Sequence, residues 1–439
     1  VKNHSYGSDG YDFAHTDIRL ALQRTARDGV IHVFSAGNAR DTKGEDASKE
    51  PVHAVSDVIV VAALGSDGKY ANYSSYGASV FVTAPSNRSD YTGLGITTTD
   101  RTGDNYGYNR YSALINPKGD KDDVFPDTSY ASLFGGTSSS APLVSGIMAL
   151  GKEANPEMDV RMAKHALVKT SEVVDPDDDS DSSFGGWRTN EAGNRFNPNY
   201  GFGNINAGAF VQKVRSVAYI TEQTTVTKSA AFSTAIPDGS AAGVDKTITL
   251  TAAEANQPLE GVEVGMKITH TRIGDLTAKI KSPSGMESRL VYSNAHLTSD
   301  QRDTTSVTNF SASFLSNAFW GENGTGDWTL NLADIDDRVT GTAETGTGTW
   351  LGYDVTFMMG QMVLLTPGIM TQSVDINAQS LTILNSGTTY VIPAGRTFRV
   401  RNNVLMDGGS LVVNGQITEA PGAYGNRFGL YSGTLSGTG

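Results

Sequence analysis

Gly136-Thr137-Ser138-Ser139-Ser140-Ala141-Pro142 joins a glycine turn to a serine at the head of a strongly apolar segment. That placement can present a nucleophile. A hydroxyl at a helix N-terminus lies beside unpaired backbone N–H groups and the positive end of the helix dipole, and both favour an oxyanion forming next to it. Gly135-Gly136 lets a second backbone, such as a substrate carbonyl, approach closely. Serine and threonine are also favoured helix caps, so on its own the pattern reads first as an ordinary helix start. Asn38 is the second candidate. It closes Ser35-Ala36-Gly37-Asn38, directly after the apolar run Val30-Ile31-His32-Val33-Phe34. A side-chain amide there can donate to a developing oxyanion, an interaction worth about 3 kcal/mol of barrier, whereas Ala-Gly-Asn read alone is a turn.

The elements that must position these residues read as a parallel sheet with helices. Apolar residues at Ile18, Leu20, Ala21, Leu22 and Ala26 predict a helix over 16–27, ended by Gly29, and Val30–Phe34 reads as a buried strand. Strand, helix and strand with short connections make a βαβ unit, whose functional groups gather at the carboxyl ends of the strands. Asp57–Leu64 and Val80–Pro85 add two more apolar strands. Leu143–Lys152 reads as a helix apolar nearly all round, which predicts burial in the centre of the domain, and Asp159 is placed to cap the next helix.

The wording around Ser138, continued as Leu143-Val144-Ser145-Gly146-Ile147, resembles the nucleophile motif of subtilisin-like serine peptidases. The resemblance implies that Ser138 attacks the scissile carbonyl and that Asn38 donates in the oxyanion hole. It implies that Ala36 and Gly37 wall the primary specificity pocket, and that Ser5-Tyr6-Gly7 is the edge strand on which a peptide substrate pairs its backbone. The likeness runs in the family's order through residues 1 to about 215, ending at Tyr200-Gly201-Phe202-Gly203-Asn204-Ile205-Asn206-Ala207.

A serine hydroxyl needs a base, and the base needs an orienting group. The family's Asp follows an apolar strand and its His opens a helix in a His-Gly-Thr context, both ahead of the Ser-x-Gly strand. His4, His15, His32, His53, His165, His270 and His296 all lack that context, and Asp9-Gly10 follows a turn. The expectation is a fragment truncated at its N-terminus, with Asp and His on an upstream segment, and inactive by itself. The competing reading is a non-catalytic surface-binding or adhesin protein that keeps the protease shell.

Ser216–Asp245 is rich in Thr, Ser and Ala with little periodicity and reads as a connector plus edge strands; beyond it the pattern changes to short alternating strands with Gly and Pro turns, which indicates a β-sandwich. Gly274-Asp275-Leu276, Ser282-Pro283-x-Gly285, Gly324-Thr325-Gly326-Asp327-Trp328-Thr329-Leu330 and Trp350-Leu351-Gly352-Tyr353-Asp354-Val355-Thr356-Phe357 resemble the P domain of kexin- and furin-like proprotein convertases. An unrelated sugar-binding or adhesive sandwich is the alternative. The expected fold is therefore multidomain: an α/β subtilisin-like parallel-sheet domain at 1–215, an all-β jelly-roll-like P-domain sandwich at 222–360, and a β-rich tail at 361–439. The tail's short strands with Gly/Asn turns suggest the first rungs of a β-solenoid, similar to a bacterial autotransporter passenger stalk, or else a small accessory sandwich.

Composition narrows the partners. A net charge of −13 with no cluster of Lys and Arg excludes nucleic acid, and the absence of Cys excludes disulfides, thiolate zinc sites and Cys nucleophiles. No run of about 18 apolar residues provides a transmembrane segment. A secreted or bacterial cell-surface protein with a protein or peptide substrate fits, with a pro-segment upstream where the family places one. Calcium is expected in the intact protein because it recurs in the family. Asp175-Pro176-Asp177-Asp178-Asp179-Ser180-Asp181 could offer oxygens but lacks the EF-hand spacing and Gly, and reads first as a solvated acidic loop. Convertases prefer basic residues before the cut, and Asp9 falls near where a carboxylate of that pocket belongs. Asp41, Glu45 and Asp46, in the loop from Arg40 to Pro51, have no assigned place in it.

Overall fold

Four short strands, β1 (Lys2–His4), β2 (His32–Ser35), β3 (Val58–Leu64) and β4 (Val82–Pro85), lie parallel in that order. His32 stands opposite Lys2 on one side and Val58 on the other, and Val61 stands opposite Val82. All seven residues of β3 are buried, as an apolar strand covered on both faces requires. The computed structural model describes residues 1–7, 16–40, 46–88, 95–102, 107, 109, 125, 127–178, 186–293, 305–335, 348–421 and 427–438.

Helix α1 (Thr16–Arg27) connects β1 to β2 and stops at Gly29, whose φ of 82° suits glycine. Helix α2 (Thr137–Ala154) packs on β2, β3 and β4. Helix α3 (Val160–Thr170) starts where Asp159 accepts a hydrogen bond from the Met162 N–H at 2.7 Å, and α4 (Ala207–Arg215) starts on Asn206 in the same way. The burial expected for α2 is only half right. Ala141, Val144, Met148 and Gly151 form its buried stripe, while Leu143 and Leu150 face outward at 37% and 50% exposure. The stripe follows helical spacing, and Gly151 is needed there because a Cβ would come within 2.7 Å of Phe210. Among the described residues no helix is long and apolar enough to cross a membrane.

The second unit contains two four-stranded sheets, each antiparallel throughout. One runs Thr224–Ile236, Gly348–Met359, Leu259–His270, Val307–Ser316, and the other Val244–Leu250, Gly326–Asp334, Leu276–Lys281, Glu287–Val291. Trp328, from the second sheet, meets Phe357 of the first with ring centroids 5.1 Å apart, and its indole N–H is satisfied by the Gly324 carbonyl at 2.8 Å.

In the tail, strands pair in parallel with strands later in the chain: Gly368 opposite Thr388, Thr389 opposite Ser410, Val404 opposite Phe428. The stack begins on Val217–Ile220, which pairs with Met362–Leu364 and lends Tyr219 to the tail's own core.

One hydrophobic cluster runs from the parallel sheet into the double-sheet unit. A buried polar group lies within that junction. Glu260, on the Leu259–His270 strand, accepts from Arg161 Nε and Nη2 at 2.9 and 2.6 Å, from His165 Nε2 at 2.7 Å and from Gln223 at 2.7 Å. Because His165 donates from Nε2, its Nδ1 is free to accept the Trp320 indole N–H at 3.3 Å. Burial alone would raise the Glu260 pKa, but the Arg161 charge and the His165 and Arg161 hydrogen bonds outweigh it and hold the carboxylate well below its ordinary range. A folded-state pKa below the unfolded one adds stability at neutral pH, and that stability is lost as pH falls below the carboxylate range. Gly360 lies against the same pair, where a Cβ would overlap both the Arg161 guanidinium and the Glu260 carboxylate. Glu260→Gln should cost about 3–5 kcal/mol, by leaving the Arg161 charge buried without its partner. It should also flatten the acid limb of a denaturation-midpoint-against-pH curve, and an unchanged acid limb would contradict this account.

Candidate active site

The turn before α2 is fixed by packing. Gly136, with φ of 79°, is the residue preceding the helix and makes no side-chain cap. Its N–H donates to Tyr73 Oη at 2.9 Å, and its carbonyl accepts from the hydroxyls of Ser86 and Ser139, both at 2.9 Å. Gly135 lies so close to Asn87 that a Cβ there would overlap the carboxamide. Ser139 and Ser140 are buried, and Ser140 Oγ is taken up by the Ala84 carbonyl at 2.9 Å. Ser138 differs from both. It is half-buried, and its hydroxyl has no hydrogen-bond partner among the described residues. Of three consecutive serines, one is left facing solvent at the first turn of a helix.

Asn38 is held from the other side. Its Oδ1 lies 2.8 Å from the Thr137 N–H and 2.9 Å from Thr137 Oγ1. A backbone N–H can only donate, so the oxygen must point to Thr137 and the Nδ2 amine must point away from it. The Ser5 hydroxyl donates to the Ser138 carbonyl at 3.1 Å, and Asn3 links Ser5 to Ser145 of α2 at 2.9 and 3.2 Å. The start of α2, the end of β2 and the chain after β1 are thereby joined.

Ser5, Tyr6, Gly7, Ala36, Gly37, Asn38 and Ser138, all expected at the site, line one cavity of about 230 Å³, together with Ser35, Ala39, Glu50 and His53. Asp9 lies outside the described residues, as do Asp41 and Glu45. Asp46 is turned away from the cleft. It is buried, accepting from the N–H groups of Ser48 at 2.9 Å and Tyr292 at 3.0 Å, and burial lifts it to about 6 against the pull of Lys49 and those hydrogen bonds. Sequence reasoning missed Glu50, whose Oε2 is 3.5 Å from where a Gly7 Cβ would sit. The signal for it lay in the same loop, immediately before Pro51, but loop length hid its place. His53 reaches the cavity with Nδ1 on the Ala47 carbonyl at 2.8 Å.

Residues 1–203 match the Subtilase family, and residues 259–346 match the Proprotein convertase P-domain. The chain carries a subtilase domain followed by a P-domain. The Aeromonas extracellular serine protease of Aeromonas sobria is 29% identical over 388 residues, covering 76% of this chain and 61% of that one. A microbial serine proteinase of Aeromonas salmonicida is 26% identical over 374 residues, covering 75% and 59%. Proprotein convertase subtilisin/kexin type 6 of Rattus norvegicus is 35% identical over 211 residues, covering 46% and 21%. The chain thus spans about three fifths of the two Aeromonas relatives. The crystal structure of the Aeromonas sobria serine protease shares the fold, with a TM-score of 0.68 at 22% identity over 81% of this chain and 71% of that one.

No group of three or more His, Asp or Glu able to hold a metal ion occurs among the described residues. Asp175 and Asp178, in the acidic run of the subtilase domain, accept from donors: the Tyr200 hydroxyl at 3.1 Å, and the Asn197 and Asn199 amides at 2.8 and 2.9 Å. Asp179 and Asp181 lie outside the described residues. The tightness at the nucleophile turn gives a test. Gly135→Ala should displace Asn87 and cost about 1–3 kcal/mol, read as a lowered denaturation midpoint.

Proposed function

We propose that the intact protein is a secreted or cell-surface serine endopeptidase in which Ser138 attacks the scissile carbonyl of a peptide. The observation that carries this reading is the free Ser138 hydroxyl at the head of α2, beside an Asn38 amide whose oxygen is already bound to Thr137. Two donors then converge on the developing oxyanion: Asn38 Nδ2 and the Ser138 N–H at the helix start. The substrate adds to Ser5–Gly7 as an extended strand, and Ala36 and Gly37 wall its primary side-chain pocket. Glu50 supplies negative charge there and favours Lys or Arg before the cut.

The base and its orienting carboxylate come, in this reading, from residues outside these 439. Among the described histidines none is bonded to Ser138, and the exposed face of α2 at Leu143 and Leu150, with β1 at the sheet's edge, offers such a segment a surface to pack on. A pro-segment, or a helper such as the chaperone solved with the Aeromonas sobria protease, fits the same scheme. The double-sheet unit at 222–360 is read as a jelly-roll-like sandwich that stabilises the peptidase domain at 1–215. The parallel ladders of 361–439 are read as solenoid rungs of a passenger-like stalk. Structural calcium in the intact protein is part of the proposal, and a denaturation midpoint unmoved by EGTA would count against it.

These 439 residues alone should not turn over peptide. In the intact enzyme, Ser138→Ala should abolish hydrolysis, and Asn38→Ala should lower kcat by about 100- to 1000-fold with little change in KM. Glu50→Gln should reduce kcat/KM for substrates with Lys or Arg before the cut more than for apolar ones. Full activity in Ser138→Ala would refute the reading.

A further inference from the structure

Thr25, His32, His4 and Tyr6 form a single file of hydrogen bonds that starts on α1 and ends at the cleft. Thr25 Oγ1 lies 2.8 Å from the Ala21 carbonyl and 2.7 Å from His32 Nε2; His32 Nδ1 is 2.9 Å from His4 Nε2, and His4 Nδ1 is 2.9 Å from the Tyr6 hydroxyl. The direction of the file follows from its first member. A threonine hydroxyl has one proton, and inside α1 it goes to the carbonyl one turn back, so towards His32 the oxygen can only accept. His32 then donates from Nε2 and accepts at Nδ1. His4 does the same, and Tyr6 donates its phenolic proton. One choice at Thr25 orders every proton in the file.

We propose that His4 and His32 are positioning residues that hold Tyr6 at the cleft through this ordered relay, and that Tyr6 so held strengthens capture of an extended basic peptide along Ser5–Gly7. The peptide half of this rests on the peptidase reading above. Packing alone does not fix Tyr6, which is 64% exposed, whereas His4 is stacked on Phe34 at 4.2 Å and 6° and His32 is buried. The order holds while both rings are neutral: protonation of both would set His32 Nδ1–H against His4 Nε2–H, whereas the Tyr6 oxygen could then accept from His4 Nδ1–H.

The surroundings favour the neutral rings. Burial, then His4, Lys2 and the Val1 amine, bring His32 down to about 4, and burial followed by Lys2 lowers His4. Charged groups acting on the pair are Lys2 and the Val1 amine, at the start of β1; from α1 the neighbour is Thr25, His53 lies across Phe34 at 5.9 Å, and α2 approaches through Ser145 on Asn3. With both pKa values below the free imidazole value, both rings are neutral and the ordered relay is complete at neutral pH.

Imidazole ¹⁵N NMR of the 439-residue chain tests the relay without needing catalysis. Both rings should be neutral Nε2–H tautomers at pH 7.5, and Tyr6→Phe should move the His4 titration. Either ring in the Nδ1–H form, or a His4 titration unmoved by Tyr6→Phe, overturns the relay. For capture, the probe is a decapeptide with Arg before the scissile position, measured by calorimetry in a Ser138→Ala background. Tyr6→Phe and His4→Gln should each weaken it about fivefold at pH 7.5, the worth of one hydrogen bond. Equal affinity in all three overturns the positioning role. No binding by the parent, with the tautomers as stated, overturns the peptidase reading and the capture half with it.

Discussion

The hydrogen bonds between Thr137 and Asn38 join positions 99 residues apart in the chain, and the geometry of the cleft depends on them. They fix the start of α2 at the carboxyl end of β2. A helix begins with N–H groups that lack intrahelical partners, and a parallel sheet presents loops at its strand ends. Bringing the two together concentrates donors beside the Ser138 hydroxyl. Everything else around the turn limits where that helix can begin: the Tyr73 hydroxyl on the Gly136 N–H, Ser86 on its carbonyl, Asn87 against Gly135. A site made of a free hydroxyl and free N–H groups has little to hold it in place, so its rigidity comes from neighbours whose bonds are all complete.

The P-domain acts on this arrangement from behind. Its contribution is more than apolar area, because the junction contains polar groups that are satisfied only when the two domains are docked. Glu260 needs Arg161 and His165 from the subtilase domain, and Asp46 of the subtilase domain accepts from the Tyr292 N–H of the P-domain. Asn317 donates to the Ser79 carbonyl at 3.0 Å, immediately before the strand that carries Ala84 and Pro85 under Ser140. Undocking would expose apolar surface and strand a buried carboxylate at once, so the domains are expected to open together or not at all.

What could be read from the sequence was what is decided locally. The span of α1 was legible from its spacing and Gly29, the cap at Asp159 from its position, and the burial of Val58–Leu64 from composition alone. The motif at Ser138 was legible because a tight turn restricts residue types at consecutive positions. Glu50 and the Arg161–Glu260–His165 cluster were not, since each gains its meaning from residues far away in the chain. Leu143 and Leu150 misled for the opposite reason. Apolar composition says that a face prefers to be covered, but not what covers it, and in these residues that face of α2 is open.

The tail depends on the subtilase domain in a way that the P-domain does not. Its strands pair in parallel with strands later in the chain, so each is supported by its neighbours in the ladder. The ladder begins beside Val217–Ile220, with Tyr219 edge-on to Phe398 at 5.2 Å, and Glu157, just before α3, accepts from both Ser380 and Asn403 at 2.7 Å. At the other end, Phe428–Gly437 pairs with only one strand among the described residues and exposes Leu430 and Tyr431 at 50% and 77%. The tail's orientation relative to the cleft is set at the anchored end, where Thr382 Oγ1 also donates to the Val217 carbonyl at 2.7 Å.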